Sequence, residues 1–249
     1  MNIGLYQSAA SLSALERWQD VVTQNITAAQ NTGYRKRTIG FTTQSAGEYQ
    51  IDPNAKAGVD TGIPALFPSA RSGVSFLNGE TQPTSRSLDV AIQGQGFFEI
   101  QMPDGSKAYT RSGEFRLRPD RTLVSSSGGE VMSDSGSPIV LQPNADNLVI
   151  NPDGTLFQGA TSLGHIAVMK FADNNTLTPV AGGMFIPSGG EAPQSVDKPE
   201  LLQGYLEQSN VQPLSEMVDL VLISRAYEAN QKIITTTDDQ MQKTLDALG

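Results

Sequence analysis

Leu220, Tyr227, Ile234, Met241 and Leu248 stand seven residues apart. A seven-residue apolar repeat marks a helix whose stripe must be covered by something else. No other stretch constrains the fold as strongly. Pro213 suits the first turn of such a helix, where a missing N–H does no harm. The spacing therefore predicts a helix over 213–248. Its first half, Met217 to Ala229, is apolar nearly all round, with Val218, Leu222, Ile223 and Ala226 off the Leu220/Tyr227 stripe. That pattern predicts burial by several neighbours. The second half keeps only the narrow stripe. Asp238, of the pair Asp238-Asp239, falls near it, where a polar group usually sets register.

A second helix is predicted over residues 3–30. Leu5, Ala9, Leu12, Leu15, Trp18, Val22 and Ile26 step by three or four, which places them on one broad face. Asn31-Thr-Gly33 stops it, since Gly is favoured just past a helix end. Arg35, Lys36 and Arg37 follow as the one dense basic cluster. From pattern alone the two helices suit an internal antiparallel pair and an assembly surface equally well.

Between the helices the texture changes. Residues 42–80 are rich in Ser, Thr, Gly, Ala and Pro, which reads as an extended connector or irregular strands. Residues 81–200 read as all-β. Leu88-Asp-Val-Ala-Ile92 and Phe97-Phe-Glu-Ile100 are predicted strands around a Gly94-Gln-Gly96 turn. Pro103-Asp-Gly105 turns the chain into Ala108–Arg111. Phe115–Leu117 and Thr122–Val124 flank Pro119-Asp120, Asn151-Pro-Asp-Gly154 repeats the device, and His165–Phe171 reads as one strand. Short strands with turn signals every 8–12 residues suggest a barrel or sandwich.

The formal net charge of −9 argues against nucleic acid, which needs a basic footprint, and against docking on an anionic membrane. The absence of cysteine removes disulfides and thiolate metal sites. No run approaches the roughly 20 apolar residues of a membrane span. Met1-Asn-Ile-Gly4 opens without the basic patch, apolar core or cleavage site of a secretory signal.

The search for chemistry finds little. His165 lies in an apolar strand with no nucleophile elbow beside it, so a satisfied or interface histidine outweighs a base. Gly94-Gln-Gly96 lacks the third glycine and the following helix of a dinucleotide loop. Asp104, Asp120 and Asp153 each sit in a Pro-Asp turn, where Asp bonds its own backbone. In an acidic chain the Arg35–Arg37 cluster suits a solvated or partner-facing role better than phosphate binding. No catalytic residue, metal ligand, cofactor or small-molecule substrate is predicted.

Three stretches together resemble the bacterial flagellar rod and hook proteins, the axial proteins of the basal body. Asn25-Ile-Thr-Ala-Ala-Gln-Asn-Thr-Gly-Tyr-Arg35 looks like the family's Asn-Leu-Ala-Asn-x-x-Thr-x-Gly-Phe-Lys motif. It matches at Asn25, Gly33, Tyr34 and Arg35, and departs at Ala28 and Asn31. Ser87–Phe98, with Asp89, Gly94, Gly96, Phe97 and Phe98, is a close match, as is Tyr109–Phe115. So are Gln203–Val211, Glu216–Val218 and Arg225-Ala-Tyr-Glu-Ala-Asn-Gln-Lys232, which brings in Arg225, Ala226, Tyr227, Glu228 and Asn230. Residues 42–80 and 130–200 are not diagnostic. Within the family, the short length, single β domain and Thr84–Asp89 look most like a proximal-rod type. Residues 225–243 look equally like the distal-rod type, and the larger hook subunits are disfavoured by length.

The resemblance implies a structural subunit, exported uncleaved through the flagellar type III apparatus and added in helical order to a hollow shaft that carries torque to the hook. Its partners would be copies of itself, other rod proteins, hook and ring components and, during secretion, the export apparatus. Its place would be the periplasmic rod. The expected fold is α+β: long terminal helices forming a coiled-coil-like core, with one central barrel- or sandwich-like β domain. The expected divisions are an N-terminal helix at 1–34, a connector at 35–80, a β domain at 81–204 and a C-terminal helical segment at 205–249. The expected assembly interface is Leu5, Leu12, Leu15, Trp18, Val22, Ile26, Met217, Leu220, Val221, Tyr227, Ile234, Met241, Leu245 and Leu248. A different class of function, a β-domain enzyme on cell-wall polysaccharide, would need two carboxylates about 5–10 Å apart in a cleft. No stretch marks one.

Overall fold

A computed structural model describes residues 3–50, 62–143, 148–189 and 192–248. The chain forms two compact units. One comprises residues 1–26, 37–73 and 212–249; the other comprises 27–36 and 74–211.

The first unit holds helix α1 (Ile3–Thr27), a two-stranded ribbon of Arg37–Gln50 and Gly62–Val74, and helix α2 (Pro213–Leu248). The ribbon occupies much of the stretch expected as a connector; residues 51–61 of that stretch lie outside the described residues. Thr42 Oγ1 donates to the Ser69 carbonyl, and a Cβ on Gly73 would meet Thr38 Oγ1, so the strands run antiparallel. Helix α1 packs on the ribbon through the Trp18 and Phe41 rings, 5.5 Å apart and edge to face. The Arg17 guanidinium donates to the Ala70 carbonyl at 3.2 Å.

The two helices meet in a short apolar patch of Leu15, Val22 and Ile223, flanked by Trp18, Ile26 and Ala226. The expected coiled-coil-like core is not there. The buried or half-buried positions of α2 are Glu216, Asp219, Ile223, Ala226, Asn230, Ile234 and Thr237. That stripe mixes acids, an amide and a hydroxyl with three apolar residues, so it cannot interlock as an apolar seam. Of the seven-residue stripe, Leu220, Tyr227 and Met241 are exposed instead, and Ile234 is half-buried. Because the first half of α2 is apolar nearly all round, periodicity did not fix which face turns in. A specific contact did. Asn25 Nδ2 donates to Glu216 Oε2 at 2.9 Å, and Ile223 packs on Val22 one stretch further along.

The second unit is β-rich. Its largest sheet is antiparallel and runs, in spatial order, Leu177–Val180, Met184–Pro187, Lys107–Thr110, Phe97–Gln101, Glu130–Val131, Leu123–Ser125 and Phe115–Leu117. Val168–Lys170 joins it beside Phe97–Gln101 and also pairs with Gln194–Ser195. Among the described residues the path is open, with Leu177–Val180 at one end and Phe115–Leu117 at the other. Smaller antiparallel sheets join Leu148–Ile150, Thr155–Gln158 and Thr161–His165, then Glu200–Gln203 with Val90–Gln93, and Tyr205–Glu207 with Thr81–Pro83.

Successive side chains of a strand point to opposite faces, and Phe97–Gln101 uses both. Phe98 enters a core with Phe115, Leu123, Val131, Leu156 and Leu201. Phe97 enters a separate aromatic core with Tyr109, Phe171, Leu177 and Phe185, against which Phe76 packs. A strand covered on both faces needs apolar residues at successive positions, as Phe97 and Phe98 supply; Glu99, also buried, meets Lys107 Nζ at 2.7 Å. The expected single strand His165–Phe171 is instead two. His165 ends Thr161–His165, Ile166 bridges to Ser133, and Ala167 N–H donates to the Met132 carbonyl before Val168 begins the next strand.

Candidate assembly surface

Helix α2 presents its large apolar side chains outward. Leu214 is 77% exposed and Leu245 70%; Met217, Val218, Leu220, Val221, Leu222, Tyr227, Ile233 and Met241 are exposed as well. Scattered apolar residues on a surface are ordinary, but ten exposed large ones along one helix are more than scatter, and exposed apolar area of this kind marks interaction sites. Beside it, within the first unit, a groove of about 540 Å³ is lined by Gln19, Leu220, Val221, Ile223, Ser224, Tyr227 and Glu228.

The residues expected at an interface therefore divide. Leu15 and Val22 are buried and Trp18 and Ile26 half-buried in the patch between the helices. Leu5 and Leu12 are half-buried, as is Ile234. Met217, Leu220, Val221, Tyr227, Met241 and Leu245 stay accessible. The side chain of Leu248 lies outside the described residues. Arg225 and Glu228 are exposed; Asn230 donates to the Ala226 carbonyl at 3.0 Å, inside its own helix.

Asn25 is fully buried and fastens three segments of the first unit. Its Oδ1 accepts from the Arg37 N–H, and its Nδ2 donates to the Arg37 carbonyl, both at 2.8 Å, and to Glu216. An amide has the donor and acceptor this requires, which a carboxylate or an alkyl group lacks. Sequence reasoning selected Asn25 and missed its partner Glu216, 191 residues away.

The rest of the N-terminal motif belongs to the β-rich unit. Gly33 takes φ +68°, and a Cβ there would lie 2.3 Å from the Ser112 backbone nitrogen. Only glycine fits both demands. Tyr34 packs with Ala28 and Val211. Arg35, expected to be solvated or partner-facing, is 3% exposed. Its guanidinium meets Glu207 Oε1 at 2.7 Å and also donates to the Leu77 carbonyl and to Asn78 Oδ1. Arg111 holds the other oxygen of Glu207 at 2.7 Å and donates to the carbonyls of Gly96 and Ile92. Burial pulls both guanidinium pKa values down, and Glu207 opposes that shift. Asp89 is buried, with the Arg86 guanidinium 3.7 Å from its carboxylate. Gly94 and Gly96 both adopt positive φ in the turn, and Phe97 and Phe98 anchor the two cores.

The turn aspartates bond locally. Asp104 accepts from the Ser106 hydroxyl and N–H, Asp120 from the Thr122 N–H and Asp153 from the Thr155 N–H, which lowers each carboxyl pKa. His165 Nδ1 stands 3.4 Å from Asp134 with both side chains half-exposed. Among the described residues no group of three or more His, Cys, Asp or Glu is placed to hold a metal ion. No described helix is long and apolar enough to cross a membrane.

Two family models match. Residues 91–158 match the flagellar hook protein FlgE/F/G D1 domain, and residues 202–247 match the flagellar basal body rod FlgEFG protein C-terminal region. The chain is 32% identical to the flagellar basal-body rod protein FlgF of Caulobacter vibrioides over 252 residues, covering 100% of this chain and 99% of that one. It is 30% identical to FlgG of Buchnera aphidicola subsp. Schizaphis graminum, covering 96% and 97%. It is 27% identical to FlgF of Mesorhizobium japonicum, covering 100% and 99%.

Proposed function

This chain belongs to the flagellar basal-body rod protein family, and from that premise we propose that it is a proximal-rod subunit of the FlgF kind. As a member it is a structural subunit of the flagellar basal body. The proximal assignment draws support from alignment length: the relatives named FlgF align over the whole chain, those named FlgG over 93–96% of it. In this reading the subunit is exported without cleavage by the type III apparatus and joins a helical shaft that transmits torque.

The observation that carries the reading is the outward apolar patch of α2. Apolar area left in water is worth about 25 cal/mol per Å² once covered. Copies of this chain and related rod subunits would supply the cover. The test is to place a charge where the fold does not need the side chain. Leu220→Asp and Met241→Asp should change unfolding free energy by no more than about 0.5 kcal/mol, as expected of surface sites. The same variants should be missing from purified basal bodies and leave cells non-motile. Motile cells whose rods contain these variants would overturn the reading.

A further inference from the structure

A small pocket of the β-rich unit is lined by three cationic side chains, Arg35, Arg111 and Lys170, and by no carboxylate. Phe97 and Phe171 form its apolar walls. Two guanidiniums, each at most 3% exposed, share the single carboxylate of Glu207. The buried group thus keeps a net positive charge, which a low-dielectric interior disfavours unless an anion answers it. A donor is also left over: the buried Nε–H of Arg35 has no hydrogen-bond acceptor among the described residues. Lys170 is exposed at the pocket and forms no ion pair among the described residues.

We propose that this pocket binds one small oxyanion of the carboxylate or phosphate class. Size supports the choice. The cavity is about 40 Å³, whereas a single water needs roughly 10–15 Å³. An occupant of a few heavy atoms fits; a nucleotide or sugar does not. Guanidinium groups suit oxyanions because planar N–H donors match paired oxygens. The site goes beyond the rod reading and does not depend on it. The oxyanion has two possible sources, a dissolved anion or an acidic side chain of an adjoining subunit.

The test uses the full chain as a monomer, with formate and inorganic phosphate as probes and chloride added to hold ionic strength constant. Amide resonances of Gln95, Gly96, Lys170 and Phe171 should shift saturably. Lys170→Ala, at an exposed site the fold does not need, should weaken binding about fivefold or more. Shifts that follow ionic strength without saturating, or binding unchanged in Lys170→Ala, would overturn the proposal. Amine acylation of Lys170 in isolated rods separates the sources. Protection in rods washed free of small anions assigns the pocket to a neighbour's carboxylate. Protection that appears only with added phosphate assigns it to the dissolved anion. Full reactivity under both conditions counts against the site.

Discussion

The β-rich unit buries Arg35, Arg111, Asp89, Glu99 and Glu207, while helix α2 of the other unit leaves ten large apolar side chains in water. Each is the reverse of the usual rule for its residue type. In the β-rich unit the charges are tolerated because partners meet them: Glu207 spends one oxygen on Arg35 and the other on Arg111. On α2 no such cover is present among the described residues. A buried charge with a partner belongs to a finished fold. Exposed apolar area without one belongs to a surface that is finished by assembly. One chain therefore holds a unit that meets most of its buried charge with its own groups, the Arg35 Nε–H excepted, and a helix ten of whose large apolar side chains stay uncovered among the described residues.

The strongest way to break this contrast is to remove the shared carboxylate. Glu207→Ala leaves two guanidiniums buried with no counter-charge. Breaking a buried pair in this way costs about 3–5 kcal/mol. Urea denaturation followed by near-UV circular dichroism should show the loss in the transition of the β-rich unit. A loss below about 1 kcal/mol would mean that the charges are solvated and that the unit is less closed than described.

A smaller effect is expected at Asn25, which plays the corresponding part in the first unit. Asn25→Ala removes one acceptor and two donated bonds, leaving the Arg37 backbone and Glu216 without that partner. The expected loss is about 1–3 kcal/mol. It should be local. Hydrogen exchange should speed up around residues 15–26 and 216–226, with the amides of Phe97–Gln101 unchanged. Uniform acceleration across both units would show that they unfold as one.

How much of this was legible in the sequence depends on how local the signal is. Helix α1 ends within a few residues of the Gly33 signal, and α2 starts at Pro213, because caps and breakers act on their own turn. Phe97–Gln101 was legible for the same reason, since Gly96 and Pro103-Asp-Gly105 bracket it. The facing of α2 was not. Its periodicity allowed several inward faces, and the choice fell to Asn25 and Ile223, contacts across the length of the chain. Arg35 was misread because its partner lies in a distant strand; Arg111 and Glu207, 96 residues apart, were missed altogether. The local pattern offered only a charge at a strand end, Arg111 just after Lys107–Thr110 and Glu207 closing Tyr205–Glu207, and it did not name the partner. The division of His165–Phe171 was hidden similarly, because the break is set by pairing with Met132 and Ser133 rather than by any turn residue.

The gentlest probe of the contrast is alkaline pH, which acts on the closed unit through Tyr109. This phenol is 2% exposed, its ring meets Phe171 edge to face at 4.9 Å, and Glu99 lies near enough to repel a phenolate. Burial first, and Glu99 second, push its pKa up from 10 to about 12. The folded state therefore holds the proton more tightly than the unfolded state between those values. Stability from this group is complete below about pH 10 and falls as pH rises toward about 12. Other groups titrate in the same range, so the informative quantity is a difference. Tyr109→Phe keeps the ring and removes the proton. At pH 7 its urea midpoint should lie close to that of the native chain. Above pH 10 the native chain should lose stability faster than the variant, and the gap should widen through pH 12. Parallel curves would mean that water reaches the Tyr109 hydroxyl, and the aromatic core around Phe97 would then be open where the contrast requires it to be closed.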